Sequence, residues 1–435
     1  MKVAIVGFAT DGRVSAKYFS RRGDTVTICD YDDALDIPAE YARQLGAEYL
    51  HGMARFDLIV RSSGIHPSAI LKDNPEVADR VTTSVNEFLA ACPTTLTIGI
   101  TGTKGKGTTS TLVTKILEAA GKTVYLGGNI GRSPLDFIDK VSPDDWVVLE
   151  LSSFQLTDIT HSPHIAACLM VVPEHLNWHE DMADYTTAKR RLFEWQNSDD
   201  VAIYFANNNR STEIAAAGEG KKVPYFTLPG AWVDDDAITI DGQAVCSVDE
   251  LKLLGKHNWQ NVCAAVTIVW QAGIRDIVAI RSVLTSFTGL PHRIEFVREV
   301  DGVRYYDDSF GTTPETAIVA LRAFEQPKVV ILGGSNKGAS YDELARIVVR
   351  SNVRKVVLVG SEGPRLQAAL ETADFHSFTS VIQGQGKMPE IVKACRDVAQ
   401  SGDIVLLSTG CASFGMFENY KDRGDQFKQA VQSLT

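Results

Sequence analysis

The chain lacks surplus positive charge: 43 Lys and Arg stand against 54 Asp and Glu, for a formal net charge of −11. A broad basic face for DNA or RNA is therefore not expected, although a few cations in one cleft suffice for a small anionic substrate. No apolar run approaches the ~20 residues that a membrane helix requires. Val3 to Gly7 is apolar but breaks at Thr10-Asp11-Gly12, as a buried strand entering a turn does, and is too short for a signal peptide. Seven cysteines are present, at 29, 92, 168, 246, 263, 395 and 411, and no two form a CxxC pair. An odd count without a secretory signal fits reduced thiols in the cytoplasm. Low-complexity tracts and short-period repeats are also missing.

What is there is a recurring unit: a short β-branched run, a glycine-containing turn, then a helical stretch. Lys2 to Val6, Thr25 to Cys29 and Leu58 to Val60 are such runs, the last ending at Ser62-Ser63-Gly64. Leu96 to Ile100, Trp146 to Leu151 and Ile165 to Val172 follow, and then Lys328 to Leu332, Lys355 to Val359 and Ile404 to Leu407. The pattern predicts an α/β protein with parallel sheets and ligand-facing loops at the strand C-termini. With 435 residues, two or three domains are expected. Cys92-Pro93 and Gly289-Leu290-Pro291 read as linkers. Val201 to Leu254 reads as a more polar region of short alternating strands.

Between the strand at Leu96 to Ile100 and a helix expected from Thr109 to about Ala120 lies Thr101-Gly102-Thr103-Lys104-Gly105-Lys106-Gly107-Thr108-Thr109. Glycines let backbone N–H groups converge on phosphate oxygens, and a helix N-terminus adds a positive dipole end. Lys106 would neutralise the outer phosphates. The strict pattern G-x-x-x-x-G-K-[ST] fails twice, at Ile100 and Gly107, so Thr108 takes over as the expected Mg²⁺-binding hydroxyl. The strand–loop–helix setting favours an ATP site over a glycine-rich connection at a sheet edge.

Glu150 falls at the end of a buried strand, where a carboxylate is costly unless paired or metal-bound. Mg²⁺ favours one or two carboxylates beside phosphates. A capping or salt-bridged glutamate is the alternative. His175 and His179 are four apart, which leaves open a zinc site, a zinc hydrolase, or two surface histidines. Tyr185 to Arg191 reads as a helix with a basic face.

Taken together, these segments resemble the Mur ligase superfamily. The resemblance rests on Thr-Gly-Thr-x-Gly-Lys, Gly127 to Gly131, Glu150 to Leu156, the His175 segment and Tyr-x-x-Ala-Lys ending at Lys189. It extends through Gly255 to Ala265, Gly289 to Arg293, Asp308-Ser309, Gly333 to Gly338 and Cys411-Ala412-Ser413, so that it runs from Lys2 to about Phe427. Ser-Ser-Phe-Gln-Leu and Cys-Ala-Ser-Phe point to the branch that adds D-glutamate. A folylpolyglutamate synthase-like activity, or another amino acid such as L-glutamate, is the alternative within the superfamily; about ninety residues before the phosphate loop argue against the former. A non-catalytic nucleotide-binding protein is the reading from another class.

The resemblance implies three domains. Residues 1–93 would form a Rossmann-like uridine-nucleotide domain, 94–290 a central P-loop ATPase-type domain with a parallel or mixed sheet, and 291–435 a Rossmann-like amino-acid domain. It implies an ATP-dependent, ADP-forming, cytoplasmic and monomeric ligase with no nucleic-acid or membrane partner. The enzyme would join UDP-N-acetylmuramoyl-L-alanine to D-glutamate through an acyl phosphate, in peptidoglycan synthesis. By position, Thr10, Asp11, Asp30, Ser62 and Gly64 would line the uridine diphosphate site, and Asn129 and His175 the muramoyl part. Gly102, Thr103, Lys104, Gly105, Lys106, Gly107, Thr108 and Thr109, with Asn258, Asn261, Arg293 and Asp308, would hold ATP. Lys106, Glu150, His175 and Lys189 would be catalytic. Two Mg²⁺ ions would be held by Thr108, Glu150, His175 and a carbamylated Lys189, and the amino acid by Thr312, Lys337, Ser413 and Tyr420. The chain departs from the family pattern at Ala9 (for Gly), Lys104 (for Asn), Glu174 and Asn177 (each for Asp), Phe310 (for Lys), Asn336 (for Asp) and Tyr420 (for Phe). Its Lys-Gly-Thr order at 106–108 resembles folylpolyglutamate synthases.

Overall fold

The computed structural model describes residues 1–176, 178–253, 255–335 and 339–434. Lys337, expected at the amino acid, and the departures at Asn177 and Asn336 lie outside the described residues. The chain divides into two compact units, Met1–Lys252 with Lys256–Phe287, and Leu253–Gly255 with Thr288–Thr435.

The first unit opens with five strands: β1 (Lys2–Val6), β2 (Thr25–Asp30), β3 (Ala42–Leu45), β4 (Leu58–Arg61) and β5 (Val81–Thr83). They form one sheet in the order β3-β2-β1-β4-β5, parallel throughout. Val3 to Val6 are fully buried, as a continuous apolar run covered on both faces must be. β1 has β2 on one side and β4 on the other, so the loops after β1 and β4 come together where the strand order reverses, the usual ligand crevice of such sheets. Their approach is tight. A Cβ on Gly7, whose φ is +91°, would lie 2.7 Å from Ser62 Cβ.

The same unit contains a second parallel sheet of β6 (Thr97–Thr101), β7 (Val124–Gly128), β8 (Trp146–Glu150), β9 (Ile165–Cys168), β10 (Val201–Phe205) and β11 (Lys221–Tyr225). Its order is β11-β10-β9-β6-β8-β7, with every pair parallel. β6 is central, flanked by β8 and β9. The helix after it covers Lys106–Ala119 and so starts three residues earlier than the sequence suggested, directly at the phosphate-loop lysine. β9 is shorter than expected: pairing ends at Cys168. Only part of the polar region alternates as predicted. It includes the helix Asn209–Ala215, and its antiparallel sheet consists of β12 (Trp232–Asp234), β13 (Ala237–Ile240) and β14 (Gln243–Ser247). Asp241 and Gly242, with φ of 51° and 72°, form the two-residue hairpin between β13 and β14.

The second unit carries β15 (Glu295–Val300), β16 (Val303–Asp307), β17 (Lys328–Gly333), β18 (Val353–Val359) and β19 (Ile404–Leu407), in the order β15-β16-β19-β17-β18. The edge pair β15–β16 is antiparallel and the other pairs are parallel. The buried apolar faces of β16, β17, β18 and β19 pack against helices on both sides, giving two cores for one sheet. Among the described residues no helix is long and apolar enough to cross a membrane.

Candidate active site

Strand register decides what surrounds the phosphate loop. In β6, Ile100 lies opposite Glu150 of β8 on one side and Ala167 of β9 on the other. The loop that follows β6 is thus bordered by the residues after Glu150 and by those after Cys168. Leu169 N donates to Thr101 O at 2.9 Å, and Thr103 N donates to Met170 O at 2.8 Å. The Thr103 hydroxyl lies 3.0 Å from Val172 O and 2.9 Å from Tyr185 Oη.

Two glycines in the loop are required by both backbone and space. Gly102 has φ +144°, and a Cβ there would come within 2.8 Å of Leu169 Cβ. Gly105 has φ +88°, and a Cβ would meet Asn261 Oδ1 at 2.1 Å. Asn261 Nδ2 in turn donates to Asn258 Oδ1 at 2.7 Å. The absence of a Cβ at Gly105 thus leaves room for Asn261 against the loop, with Asn258, the other asparagine expected at adenine, bonded to it.

The expected basic and acidic groups gather at this loop. Lys106 Nζ donates to Gly102 O at 3.0 Å and to Thr103 O at 3.1 Å. Lys189 comes from the helix Met182–Glu194, and its side chain is almost fully buried. Its Nζ donates to the same Gly102 O at 3.1 Å and sits 4.5 Å from the centre of the Tyr185 ring. Burial, and secondarily the Lys106 charge, lowers the Lys189 amine to about 7. Glu150 is buried, and Asn129 Nδ2 donates to its Oε1 at 2.9 Å. Asn129 N donates to Glu150 O at 2.8 Å, so the asparagine expected at the muramoyl group grips the glutamate twice. Thr108 is buried at the helix start. Next to it, Thr109 Oγ1 is a buried hydroxyl with no hydrogen-bond partner among the described residues.

His175 adopts a left-handed backbone, φ 60°, uncommon for a residue with a Cβ. Its ring packs on Phe154 at 4.8 Å, and partial burial lowers its basicity. Glu174 forms an ion pair with Lys104, so two of the departures in sequence meet. His179 is no partner for His175 in a zinc site. It is buried, with Nδ1 2.8 Å from Asp184 Oδ2 and Nε2 2.9 Å from Ser153 Oγ, so both ring nitrogens are occupied.

In the first sheet, Asp30 Oδ2 accepts from Phe8 N at 2.7 Å and shapes the turn after β1. Asp11 accepts from Ser84 Oγ at 2.7 Å and Ser133 Oγ at 2.5 Å, while Thr10 is exposed. Two residues that sequence reading passed over organise the neighbourhood. Arg61, fully buried, forms a bidentate pair with Asp158, with Nε–Oδ2 and Nη2–Oδ1 both 2.7 Å. Its remaining N–H groups reach Phe154 O at 2.8 Å and Ile65 O at 2.9 Å. Trp178 Nε1 donates to Gly64 O at 3.2 Å. A charged residue ending an apolar strand was the available signal for Arg61.

In the second unit, Asp308 is buried and accepts from Ser408 Oγ at 2.6 Å and Ile294 N at 3.2 Å. Burial raises its carboxyl to about 7. Exposed Arg293 lies over the Phe310 ring at 5.3 Å, and Phe310 meets Tyr420 edge-on at 5.3 Å. Ser413 is buried and Thr312 half-buried. Arg423, also missed, is buried; it donates to Ser309 Oγ and Ser309 O, each at 2.8 Å, and to Cys411 O at 3.1 Å. The arginine thereby joins the Asp308-Ser309 and Cys411-Ala412-Ser413 segments. His292, Glu295 and Asp307 lie close enough to share an ion. They are already engaged, however: His292 Nδ1 lies 2.8 Å from Asp307 Oδ2, and Glu295 Oε2 accepts from His292 N at 2.7 Å and from Lys428 Nζ at 3.3 Å.

The Mur ligase middle domain matches residues 100–269, and the Mur ligase glutamate ligase domain matches residues 292–411. UDP-N-acetylmuramoylalanine–D-glutamate ligase of Clostridium kluyveri is 34% identical to this chain over 454 residues, covering 100% of it and 97% of the relative. The enzyme of the same name from Symbiobacterium thermophilum is 35% identical over 458 residues, with 100% and 98% covered. Among solved structures, MurF from Acinetobacter baumannii superposes with a TM-score of 0.62 at 16% identity, covering 94% of this chain and 85% of that one. UDP-N-acetylmuramate–alanine ligase from Thermotoga maritima gives 0.58 at 16% identity, with 100% and 99% covered. Full-length similarity at this level, added to a glycine-lined phosphate loop set beside Glu150 and Lys189, shows that the chain belongs to the Mur ligase family.

Proposed function

We propose that this member of an ATP-dependent ligase family joins UDP-N-acetylmuramoyl-L-alanine to D-glutamate in the synthesis of peptidoglycan precursors. The observation that carries the reading is similarity along the whole chain to ligases of that name. The phosphate loop fits ATP. Glycines 102 and 105 leave room where any Cβ would strike protein atoms, and Lys106 stands at the helix start. Thr108 and Glu150 offer oxygen donors suited to Mg²⁺, with His175 and a carbamylated Lys189 completing the set for two ions; bound there, Mg²⁺ offsets phosphate charge.

The substrate's terminal carboxylate oxygen attacks the γ-phosphorus and ADP leaves. The amine of the incoming amino acid then attacks the acyl carbon, phosphate leaves, and the nitrogen loses a proton. Lys106 holds the outer phosphates through this charge crowding. Asn129 keeps the Glu150 carboxylate oriented. Lys189, with its basicity reduced by burial, holds a substantial neutral amine fraction at neutral pH, the form that adds CO₂ with loss of a proton. We read residues 1–93, 94–290 and 291–435 as the uridine, ATP and amino-acid domains of a three-domain arrangement whose first and last members are Rossmann-like. Thr10, Asp11, Asp30, Ser62 and Gly64 serve the nucleotide. Arg293, Asp308, Thr312, Ser413 and Tyr420 serve the second unit's share of ATP and the amino acid. The protein acts in the cytoplasm as a monomer.

A second reading, a different amino acid, is favoured by Phe310, which meets Tyr420 edge-on where the family carries a lysine. The deciding experiment measures phosphate release from ATP with UDP-N-acetylmuramoyl-L-alanine and a panel of amino acids. D-glutamate is expected to give the fastest release and a ligated product. If another amino acid exceeds it, only the specificity is wrong; if none stimulates release, the ligase assignment fails.

A further inference from the structure

Four groups in the first unit form a closed circuit. Arg61 ends β4 and grips the loop that follows, donating to Ile65 O at 2.9 Å and Ser63 O at 3.3 Å. The other edge of the same guanidinium holds Asp158 and Phe154 O. The Phe154 ring lies 4.8 Å from His175 and 4.4 Å from Trp178. Trp178 closes the circuit: its Nε1 donates to Gly64 O at 3.2 Å, and its ring meets His66 at 4.4 Å. The Ser62–His66 loop and the His175–His179 turn are therefore joined twice, below through Arg61 and Phe154 and directly through the indole.

The turn itself is set tightly. Trp178 N and His179 N both donate to His175 O at 3.0 Å, and His175 is held at φ 60°. A left-handed conformation in a residue with a Cβ persists only where its surroundings impose it. His179, locked by Asp184 and Ser153, fixes one end. The indole N–H gives the described turn a direct hydrogen bond to the Ser62–His66 loop. Gly64 is an exposed residue, so the acceptor of this bond belongs to the part of the loop that a ligand can reach.

We infer that Trp178 is a positioning residue that couples occupancy of the Ser62–Gly64 loop by the nucleotide sugar to the setting of His175 beside the phosphate loop. This rests on the reading above, in which Ser62 and Gly64 contact the uridine diphosphate and His175 serves the ATP side. A shared element whose conformation both ligands bias makes each tighten the other by the same factor. The Trp178–Gly64 bond is that element's contact with the first ligand. Phenylalanine at 178 keeps a ring on Phe154 and removes the N–H.

The test is calorimetric, on the full chain. The affinity for the non-hydrolysable analogue AMP-PNP with Mg²⁺ is measured with and without saturating UDP-N-acetylmuramoyl-L-alanine, in the native protein and in Trp178→Phe. In the native protein the nucleotide sugar is expected to tighten AMP-PNP by on the order of fivefold or more. In Trp178→Phe that factor falls toward one, while AMP-PNP binding without the nucleotide sugar stays within about twofold of native, a split that general loosening of the fold would not give. Should Trp178→Phe fail to fold, Trp178→Leu removes the same N–H and carries the same expectation. An unchanged factor in the variant, or no coupling in the native protein although both ligands bind, overturns the inference alone. Native protein that binds no UDP-N-acetylmuramoyl-L-alanine overturns the site reading and this inference with it.

Discussion

Lys106 and Lys189 donate to one carbonyl oxygen, that of Gly102, at 3.0 and 3.1 Å. Two ammonium groups on a single acceptor repel each other, and the buried one yields. Lys189 is lowered to about 7, first by burial and then by Lys106. In the function proposed above, Lys106 is the cation for phosphate and Lys189 the amine that forms the carbamate. Lys189→Ala is expected to lose at least about a hundredfold in turnover, as loss of a metal-binding group does. Formate or acetate should restore part of it by standing in for the carbamate, and should restore nothing in Lys106→Ala. Phosphate-release assays with and without the acids check this.

Gly105 is the tightest point of the loop, with φ +88° and Asn261 Oδ1 where its Cβ would be. Gly105→Ala should destabilise the first unit by about 1–3 kcal/mol, the cost of a strained left-handed residue. Affinity for Mg²⁺–AMP-PNP should fall at the same time, because relief of the clash moves Asn261. Thermal unfolding and calorimetric binding measure the two effects. Wild-type affinity in the variant would show that Asn261 is not part of the nucleotide site.

Asp308 gives a pH dependence whose sign follows from burial. Its carboxyl is raised to about 7 from an ordinary 3.8, so between those values the folded state binds more protons than the unfolded state. Stability therefore falls as pH rises through this window and the penalty is complete above 7. Asp308→Asn removes the titration. It should raise the melting temperature relative to native protein at pH 8 and change the difference little below pH 4. Melting curves across pH 4 to 8 decide it; a constant difference would show that Asp308 is ionised throughout.

Arg61→Leu leaves Asp158 without its bidentate partner and frees the carbonyls of Phe154 and Ile65. Removing one member of a buried pair costs about 3–5 kcal/mol. Because Asp158 is partly exposed, the loss should fall at the lower end. In the double variant Arg61→Leu with Asp158→Leu, part of the loss should return, which a double-mutant cycle in urea measures.

Much of this was legible along the chain. The strands Lys2–Val6 and Ile404–Leu407 fall where their apolar runs predict them, because parallel strands buried on both faces write themselves as uninterrupted apolar segments. The phosphate loop was legible for a related reason: glycines, a lysine and a helix start must be adjacent to surround a phosphate. Less legible were the helix start at Lys106 and the helix Asn209–Ala215, where local composition competes with packing. The pair His175 and His179 stays open in the sequence, since spacing alone cannot distinguish a ligand from a histidine whose two nitrogens are already bonded.

By itself, then, the sequence determined the class of fold, the phosphate loop and the candidate metal-binding groups, because those depend on residues near one another in the chain and on hydrophobic period. The tertiary structure alone decided which groups meet. Lys189 reaches Gly102 across 87 positions, Arg61 reaches Asp158 across 97, and Trp178 reaches Gly64 across 114. It also decided that Lys104 pairs with Glu174 and Phe310 with Tyr420. Such pairings follow from strand order and register, which depend on the packing of whole sheets, and a single sequence carries no local mark of them.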